Sequence, residues 1–118
     1  EEIFIVLGDF NVIPSELDVH NPEAWKDDAL FKLETKKAYR EILSLGFTDS
    51  FRQFNSEEGN YTFWDYQRGA WQKNHGIRID HILTSPLAND KMKGVFIDKD
   101  VRDKEKPSDH VPVIIELI

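Results

Sequence analysis

Acidic residues and a histidine flank apolar segments at three separate places in the chain. They are Asp9 and Asn11 in "GDFN", Asp80 in "GIRIDHIL", and Asp109 with His110 in "KPSDHVPV". A carboxylate can orient or deprotonate an attacking water, and a histidine held by a second carboxylate can donate to a charged phosphorane. Such a set would suit the hydrolysis of a phosphodiester if the fold brings the three places together.

Each motif also has a purely structural interpretation. "GDFN" and "KPSDH" are rich in residues that form turns. Side chains two apart on a strand share a face, which predicts a common face for Asp9 and Asn11. The same spacing places Arg78 beside Asp80, a pair that fits a structural ion pair as well as a functional site. We expect His81, on the opposite face from Asp80, to be a packed or surface histidine.

A positive and aromatic stretch separates Asp65 from Asp80, and it contains no acidic residue. Its basic and aromatic side chains are those of Tyr66, Arg68, Trp71, Lys73, His75 and Arg78. In an otherwise acidic chain this combination suits phosphates and unstacked bases or sugars. Phe63 and Trp64, just before it, could share that role or be ordinary core residues, which is the commoner fate of large aromatic side chains.

The composition is that of one soluble globular domain, and it limits the chemistry. The chain has 118 residues, no cysteine and a formal net charge of -7, which argues weakly against nucleic acid as a partner. The lack of cysteine excludes disulfides and thiolate zinc sites, and the histidines show no H-E-x-x-H spacing. We therefore expect any metal to be a hard cation with oxygen ligands. No apolar run approaches the roughly 20 residues that cross a bilayer, so we expect a cytoplasmic protein.

Short apolar segments and one amphipathic segment predict an α/β fold. Strands are predicted at 3–7, in "YTFW", "GIRIDHILTS", "KGVFIDKD" and "HVPVIIEL", and "FTDSFRQF" is predicted to be a strand or extended. Helical spacing of apolar residues predicts a helix from about Ala29 to Leu45, and Asn21 with Pro22 predicts a short one over Glu23 to Lys26. Strands this apolar are normally buried on both faces. One long helix covers a single face, so a second covering layer is missing from this sequence.

Together, "GDFN", "YTFWDYQRGAWQKNHGIRIDHIL" and "KPSDHVPV" resemble the motifs of the exonuclease III family of DNA-repair nucleases, within the endonuclease/exonuclease/phosphatase superfamily. The resemblance spans nearly the whole chain, residues 1–118. It implies half of a four-layer α/β/β/α sandwich, the DNase I-like fold, with mostly one sheet and a covering helix in this half. It also implies cleavage of double-stranded DNA at abasic sites and from 3′ ends, with Mg²⁺, or alternatively Mn²⁺, as cofactor.

The resemblance implies roles for individual residues. Asp9 would orient or deprotonate the attacking water, and Asn11 would contact the scissile phosphate. Asp80 would orient His110, which would stabilise the transition state, and Asp109 would help to bind the metal. A pocket for an extruded abasic sugar is also implied. The expected substrate-binding side chains are Phe63, Trp64 and Ile77 in that pocket, with Arg68, Trp71, Lys73 and Arg78 beside it.

Only the C-terminal half of such enzymes is matched. The family's N-terminal half carries an Asn, a metal-binding Glu and a Tyr of the active site, and nothing in this sequence resembles it. We therefore expect the isolated chain to be inactive and to self-associate through its uncovered sheet face. Two alternatives stay open. A superfamily hydrolase acting on lipid or inositol phosphates would contain "GDFN" and "SDH" but not the positive aromatic stretch, and a non-catalytic interaction module would need none of these motifs.

Overall fold

The computed structural model describes residues 2–118, whose strands form two antiparallel sheets. One sheet contains, in spatial order, β1 (Ile5–Asp9), β3 (Asp80–Thr84) and β2 (Thr48–Asp49), and the other contains β4 (Met92–Ile97) and β5 (Val113–Leu117). The α/β class expected from the sequence is confirmed. The strands are, however, divided between two sheets instead of lying mostly in one.

Phe63 and Pro112 lie where the two sheets meet. Phe63 forms single bridges with Ile77 and with His110, so "YTFW" is extended there without forming a longer strand. Pro112, directly before β5, has no N–H with which to continue a ladder. Its carbonyl instead accepts from the backbone N–H of Asp98 at 3.0 Å. Phe63 thus bridges the segments that precede β3 and β5.

Short helices connect the strands within residues 2–118. They are α1 (Pro22–Trp25), α2 (Leu33–Ser44), α3 (Ser50–Phe54), α4 (Ala70–Lys73) and α5 (Pro86–Asp90), with 3-10 turns at Glu16–Asp18 and Lys99–Asp103. The first helix begins one residue earlier than predicted, since the side chain of Asn21 accepts from the N–H of Ala24 at 3.3 Å and caps it. None of the helices in this part of the chain is long and apolar enough to span a membrane.

Two segments differ from the predicted structure because of aspartate side chains. The long helix begins at Leu33 rather than near Ala29, since the Asp28 carboxylate accepts from the N–H of Leu30 (2.9 Å) and holds a turn there. In "FTDSFRQF" the strand stops at Asp49, whose carboxylate is bound by Arg78, and α3 follows directly. The prediction of a strand through the whole of that segment is therefore wrong.

Several large apolar side chains of the sheets are open to solvent. The exposed large side chains on the strands and at the two ends of the described chain are Ile3, Phe4, Val6, Leu7, Phe96, Ile114, Leu117 and Ile118. Leu7 is 65% exposed although its strand is among the most apolar in the chain. Sequences of this kind normally form strands that are covered on both faces. The structure thus agrees with the expectation that these residues lack a second covering layer.

Candidate active site

His110 lies among three carboxylates. Its Nδ1 is 2.9 Å from Asp80 Oδ2 and 3.2 Å from Asp80 Oδ1, so an Nδ1–H donates to that carboxylate. Its Nε2 is 3.8 Å from Asp9 Oδ2 and 4.0 Å from Asp109 Oδ1. The imidazole remains 33% exposed. The three separated motifs of the sequence therefore meet at one place, where one ring nitrogen is held and the other is free to face a substrate.

Backbone pairing holds these side chains in place. Asp9 and Asp80 are paired at the ends of β1 and β3. The N–H of Phe10 donates to the carbonyl of Ile79 at 3.0 Å and continues this pairing beyond the strand. The segment 109–111 is joined to 62–64 by two backbone hydrogen bonds of 3.0 and 2.9 Å. The site is thus built on paired backbone from both sheets.

The carboxylates keep His110 protonated to a higher pH than a free imidazole. Partial burial lowers the pKa of His110, but the hydrogen bond and charge of Asp80 and the charges of Asp9 and Asp109 outweigh burial. The net effect raises the pKa of His110 above its ordinary value of 6.5. A cationic imidazole is the form that can donate to a phosphate oxygen.

Asn11 does not share the strand geometry that the sequence suggested. β1 ends at Asp9, and Asn11 has a left-handed backbone with φ of 51°. Its backbone N–H donates to Asp9 Oδ1 at 2.9 Å, the turn-forming arrangement that Asp and Asn often make. The alternation on which a common face was predicted therefore stops before Asn11. Asn11 is exposed beside the site.

A cavity of about 490 Å³ opens next to His110. It is lined by His20, Ala24, Trp25, Phe63, Asp65, Gln67, Arg68, Ala70, His75, Gly76 and Ile77. Phe63 joins the cavity to the site, because its ring meets the His110 ring edge-on with centroids 5.2 Å apart. Of the side chains expected to bind substrate, Phe63, Arg68 and Ile77 lie here. His20, which the sequence did not single out, stacks on His75 of the positive and aromatic stretch with centroids 4.5 Å apart.

Trp64, Trp71 and Lys73 lie away from this cavity. Trp64 is fully buried, and its Nε1–H donates to the side chain of Asn74 at 3.0 Å. The prediction that it lines a sugar pocket is therefore wrong, and it is a core residue. Trp71 packs edge-on against Trp64 and donates to Asp103 at 3.3 Å, while Lys73 lines a separate cavity. Neither lines the cavity beside His110.

Arg78 is part of a buried ion-pair network and not of a substrate-binding surface. Its Nε donates to Asp18 Oδ1 at 2.7 Å, and its terminal nitrogens donate to both oxygens of Asp49 at 3.1 and 2.7 Å. Arg52 also binds Asp18. The Arg78 side chain is 1% exposed, so the prediction that it contacts substrate is wrong. No local pattern in the sequence indicates these pairs, whose members lie 60 and 29 residues apart.

His81 is a packed histidine, as expected, and its neighbours fix its tautomer. Its Nε2 is 2.9 Å from the carbonyl of Val12 and must donate there, while its Nδ1 accepts from Arg78 at 3.1 Å. Burial and the nearby Arg78 charge lower the pKa of His81 to about 4. His81 is therefore neutral in the folded protein near neutral pH. Its two hydrogen bonds extend the Arg78 network toward the turn after Asp9.

We expect the free energy of unfolding to fall as the pH is lowered from about 6.5 to about 4, because His81 binds a proton in the unfolded chain before it does so in the folded one. The contribution of His81 to the free energy of unfolding is complete above about pH 6.5 and lost below about pH 4. One extra proton in the unfolded state gives a slope of at most about 1.4 kcal/mol per pH unit. Urea unfolding at several pH values measures this slope, and His81→Gln should flatten it. An unchanged slope in that variant would contradict the interpretation.

The donor set fits a hard divalent cation. Asp9, Asp80 and His110 each bring one ligand-type atom within 4.8 Å of the others. Both oxygens of Asp80 face the imidazole, and Asp9 Oδ1 accepts from the Asn11 N–H. Asp9 Oδ2 and the Asp109 carboxylate, both near His110 Nε2, are left as candidate oxygen ligands. Mg²⁺ is usually held by one or two carboxylates with water completing its shell. Two carboxylates of this kind suit that ion.

Known proteins match this chain in sequence and in fold. The sequence profile described as Endonuclease/Exonuclease/phosphatase family matches residues 1–110. An exodeoxyribonuclease of Bacillus subtilis is 37% identical over 110 residues, which are 92% of this chain and 42% of that protein. A DNA-(apurinic or apyrimidinic site) endonuclease of Dictyostelium discoideum is 38% identical over 107 residues, 90% of this chain and 29% of that protein. The chain thus spans less than half the length of these relatives.

Two solved structures share its fold. A 3′ phosphatase from Neisseria, bound to a product DNA hairpin, superposes with a TM-score of 0.95 at 38% identity and covers 98% of this chain and 45% of its own. An AP endonuclease from Archaeoglobus fulgidus superposes with a TM-score of 0.93 at 37% identity. The match covers 98% of this chain and 45% of that one. The DNase I-like fold implied by the resemblance is confirmed. The chain belongs to the Endonuclease/Exonuclease/phosphatase family, among exodeoxyribonuclease III and AP endonuclease relatives.

Proposed function

We propose that this chain is the C-terminal half of a DNA-repair nuclease that cleaves DNA beside abasic sites and processes 3′ ends. The observation that carries the proposal is the contact of His110 with Asp80, with Asp9 and Asp109 on the other side of the ring. The relatives named above support DNA as the substrate class. The cytoplasm remains our expectation for its location.

The proposed reaction is attack of water on a phosphodiester. Asp9 takes a proton from the water, whose oxygen forms a bond to phosphorus while the bond to the leaving sugar oxygen breaks. Asp80 holds the imidazole by Nδ1, so that a protonated His110 presents Nε2–H to the phosphate oxygen on which charge develops. Asn11, exposed next to Asp9, would contact the scissile phosphate. The leaving oxygen takes up a proton from solvent.

Asp109 and Asp9 would hold Mg²⁺, with Mn²⁺ as an alternative. When bound, such an ion neutralises charge on the phosphate and lowers the pKa of a bound water. Asp80 takes no part in holding it, because its oxygens face the His110 ring. Isothermal titration of the full-length protein with Mg²⁺ would test this division of roles.

The cavity beside His110 would hold the part of the substrate next to the scissile bond. Phe63 and Ile77 give it an apolar wall that suits an extruded sugar. Arg68 lies on its rim, exposed, where it could pair with a phosphate of double-stranded DNA. Lys73 could contact the same strand farther away, since it lines the neighbouring cavity.

The deciding experiment compares substrates for the full-length protein in Mg²⁺. A duplex with one abasic site, a duplex with intact 3′ ends, sphingomyelin and an inositol polyphosphate are assayed side by side. We expect cleavage of both DNA substrates and none of the other two. Hydrolysis of the lipid or inositol phosphate alone would replace the proposal with another phosphodiesterase, and no hydrolysis at all would favour an interaction module.

We expect the isolated 118-residue chain to self-associate and to show little or no nuclease activity. β1 and β5 expose large apolar side chains, and monomers rarely expose more than a few hundred Å² of apolar surface in one patch. Light scattering and a nuclease assay on one sample measure both properties. A monomer at high concentration, or robust cleavage, would show that these residues need no further layer.

A further inference from the structure

Thr62 is bonded to both segments that carry the candidate catalytic pair. It is fully buried. Its Oγ1 accepts from the backbone N–H groups of Ile79 and Asp80, at 3.1 and 3.2 Å. Its carbonyl accepts from the N–H of Val111 at 2.9 Å, directly after His110. One residue therefore connects the backbone next to the imidazole with the backbone of the carboxylate that holds it.

The hydroxyl of Thr62 accepts two backbone hydrogen bonds at the start of β3. Successive amides of a regular strand point to opposite sides, and two of them reach one oxygen only where the strand is irregular. The backbone is irregular at this point, since β3 begins at Asp80 and Ile79 lies just before it. The carbonyl of Ile79 accepts from Phe10 on the other side at 3.0 Å. The peptide before Asp80 is thus held between Thr62 and the residue after Asp9.

We propose that Thr62 is the positioning residue that sets the distance between the Asp80 carboxylate and the His110 ring. The inference rests on the proposed function, in which that contact orients the imidazole. A buried threonine that merely fills the core would be replaceable by valine, which has nearly the same shape. A positioning threonine would not, because valine takes the acceptor away from the buried N–H of Ile79 and the part-buried N–H of Asp80 and frees the start of β3 to shift.

Activity of the full-length protein tests the proposal through three variants. Thr62→Val should lower kcat by about 10- to 100-fold with little change in KM, as is usual when a supporting hydrogen bond behind an active-site group is removed. Thr62→Ser keeps the hydroxyl and should stay close to wild type. In an Asp80→Asn background Thr62→Val should cause little additional loss, because both changes act on one contact. Equal loss in the Val and Ser variants, or fully additive loss, would overturn the proposal.

A spectroscopic measurement decides the matter independently of turnover. The Nδ1 proton of His110, bonded to a carboxylate, should give a downfield NMR signal that His110→Gln identifies by its loss. We expect this signal to persist in Thr62→Ser and to shift or vanish in Thr62→Val, with faster exchange of the Ile79 and Asp80 amides. An unchanged signal would reject Thr62 as a positioning residue. If Thr62→Val does not fold, Thr62→Ala removes the hydroxyl without adding a methyl group in its place.

This design separates the two hypotheses. A wild-type protein that cleaves no phosphodiester contradicts the proposed function, while the His110 signal still reports whether Thr62 holds the pair. Normal cleavage by the wild type, with a His110 signal that is unchanged in Thr62→Val, supports the proposed function and rejects the positioning role of Thr62.

Discussion

His110→Ala in the full-length protein is expected to lower kcat for cleavage of an abasic-site duplex by at least about 10²- to 10³-fold. The imidazole is the donor placed by Asp80 at 2.9 Å, and the surrounding carboxylates raise its pKa above 6.5, which favours the charged form. KM should change little, because the donor acts mainly on charge that develops in the transition state. Steady-state kinetics at saturating Mg²⁺ measure both constants.

Two aspartates provide a matched comparison for this prediction. Asp80→Asn removes the charge that orients His110 and should also lower kcat. Asp90→Asn makes the same chemical change at the exposed end of α5 and should leave kcat unaltered. Melting temperatures near that of the wild type would show that the variants fold. Turnover of His110→Ala close to wild type would remove this residue from the mechanism.

The meeting of the three motifs could be predicted because each lies at the end of an apolar strand. Asp9 and Asp80 end up paired since β1 and β3 are neighbours and antiparallel. Alternation along a strand misplaced Arg78, which contacts His81 while Asp80 faces His110. It also misplaced Asn11, where the backbone has already left the strand at φ of 51°. Periodicity describes regular elements, and it carries no information about the turn that follows them.

The tertiary partners of polar side chains could not be predicted in the same way. Arg78 was assigned to a DNA-contacting stretch because its sequence neighbours are basic and aromatic, but its partners are the distant Asp18 and Asp49. Trp64 follows Phe63 in the sequence, and successive residues of an extended segment point in opposite directions. One therefore reaches the cavity while the other enters the core. Sequence proximity was a poor guide in both cases.

Arg78→Ala is expected to destabilise the folded protein by about 3–5 kcal/mol, which would be the largest stability effect of any change considered. The guanidinium is the common partner of Asp18 and Asp49, and its removal leaves Asp49 without its cation and Asp18 with Arg52 alone. Burial alone would raise the pKa of Asp49, but the charge and hydrogen bonds of Arg78 outweigh it, so the pKa lies below 3.8 and the carboxylate is charged. Urea unfolding near neutral pH measures the loss.

Arg40→Ala is the matched control for this change, since Arg40 is exposed on α2 and a surface substitution should cost no more than about 0.5 kcal/mol. Adding Asp49→Asn to Arg78→Ala should recover part of the loss, because it removes the buried charge that Arg78 had paired. The same variants separate the structural role from the DNA contact suggested by the sequence. A DNA-binding arginine would raise KM and leave the unfolding free energy intact, and that result for Arg78→Ala would mean that the buried network contributes nothing to holding the fold together.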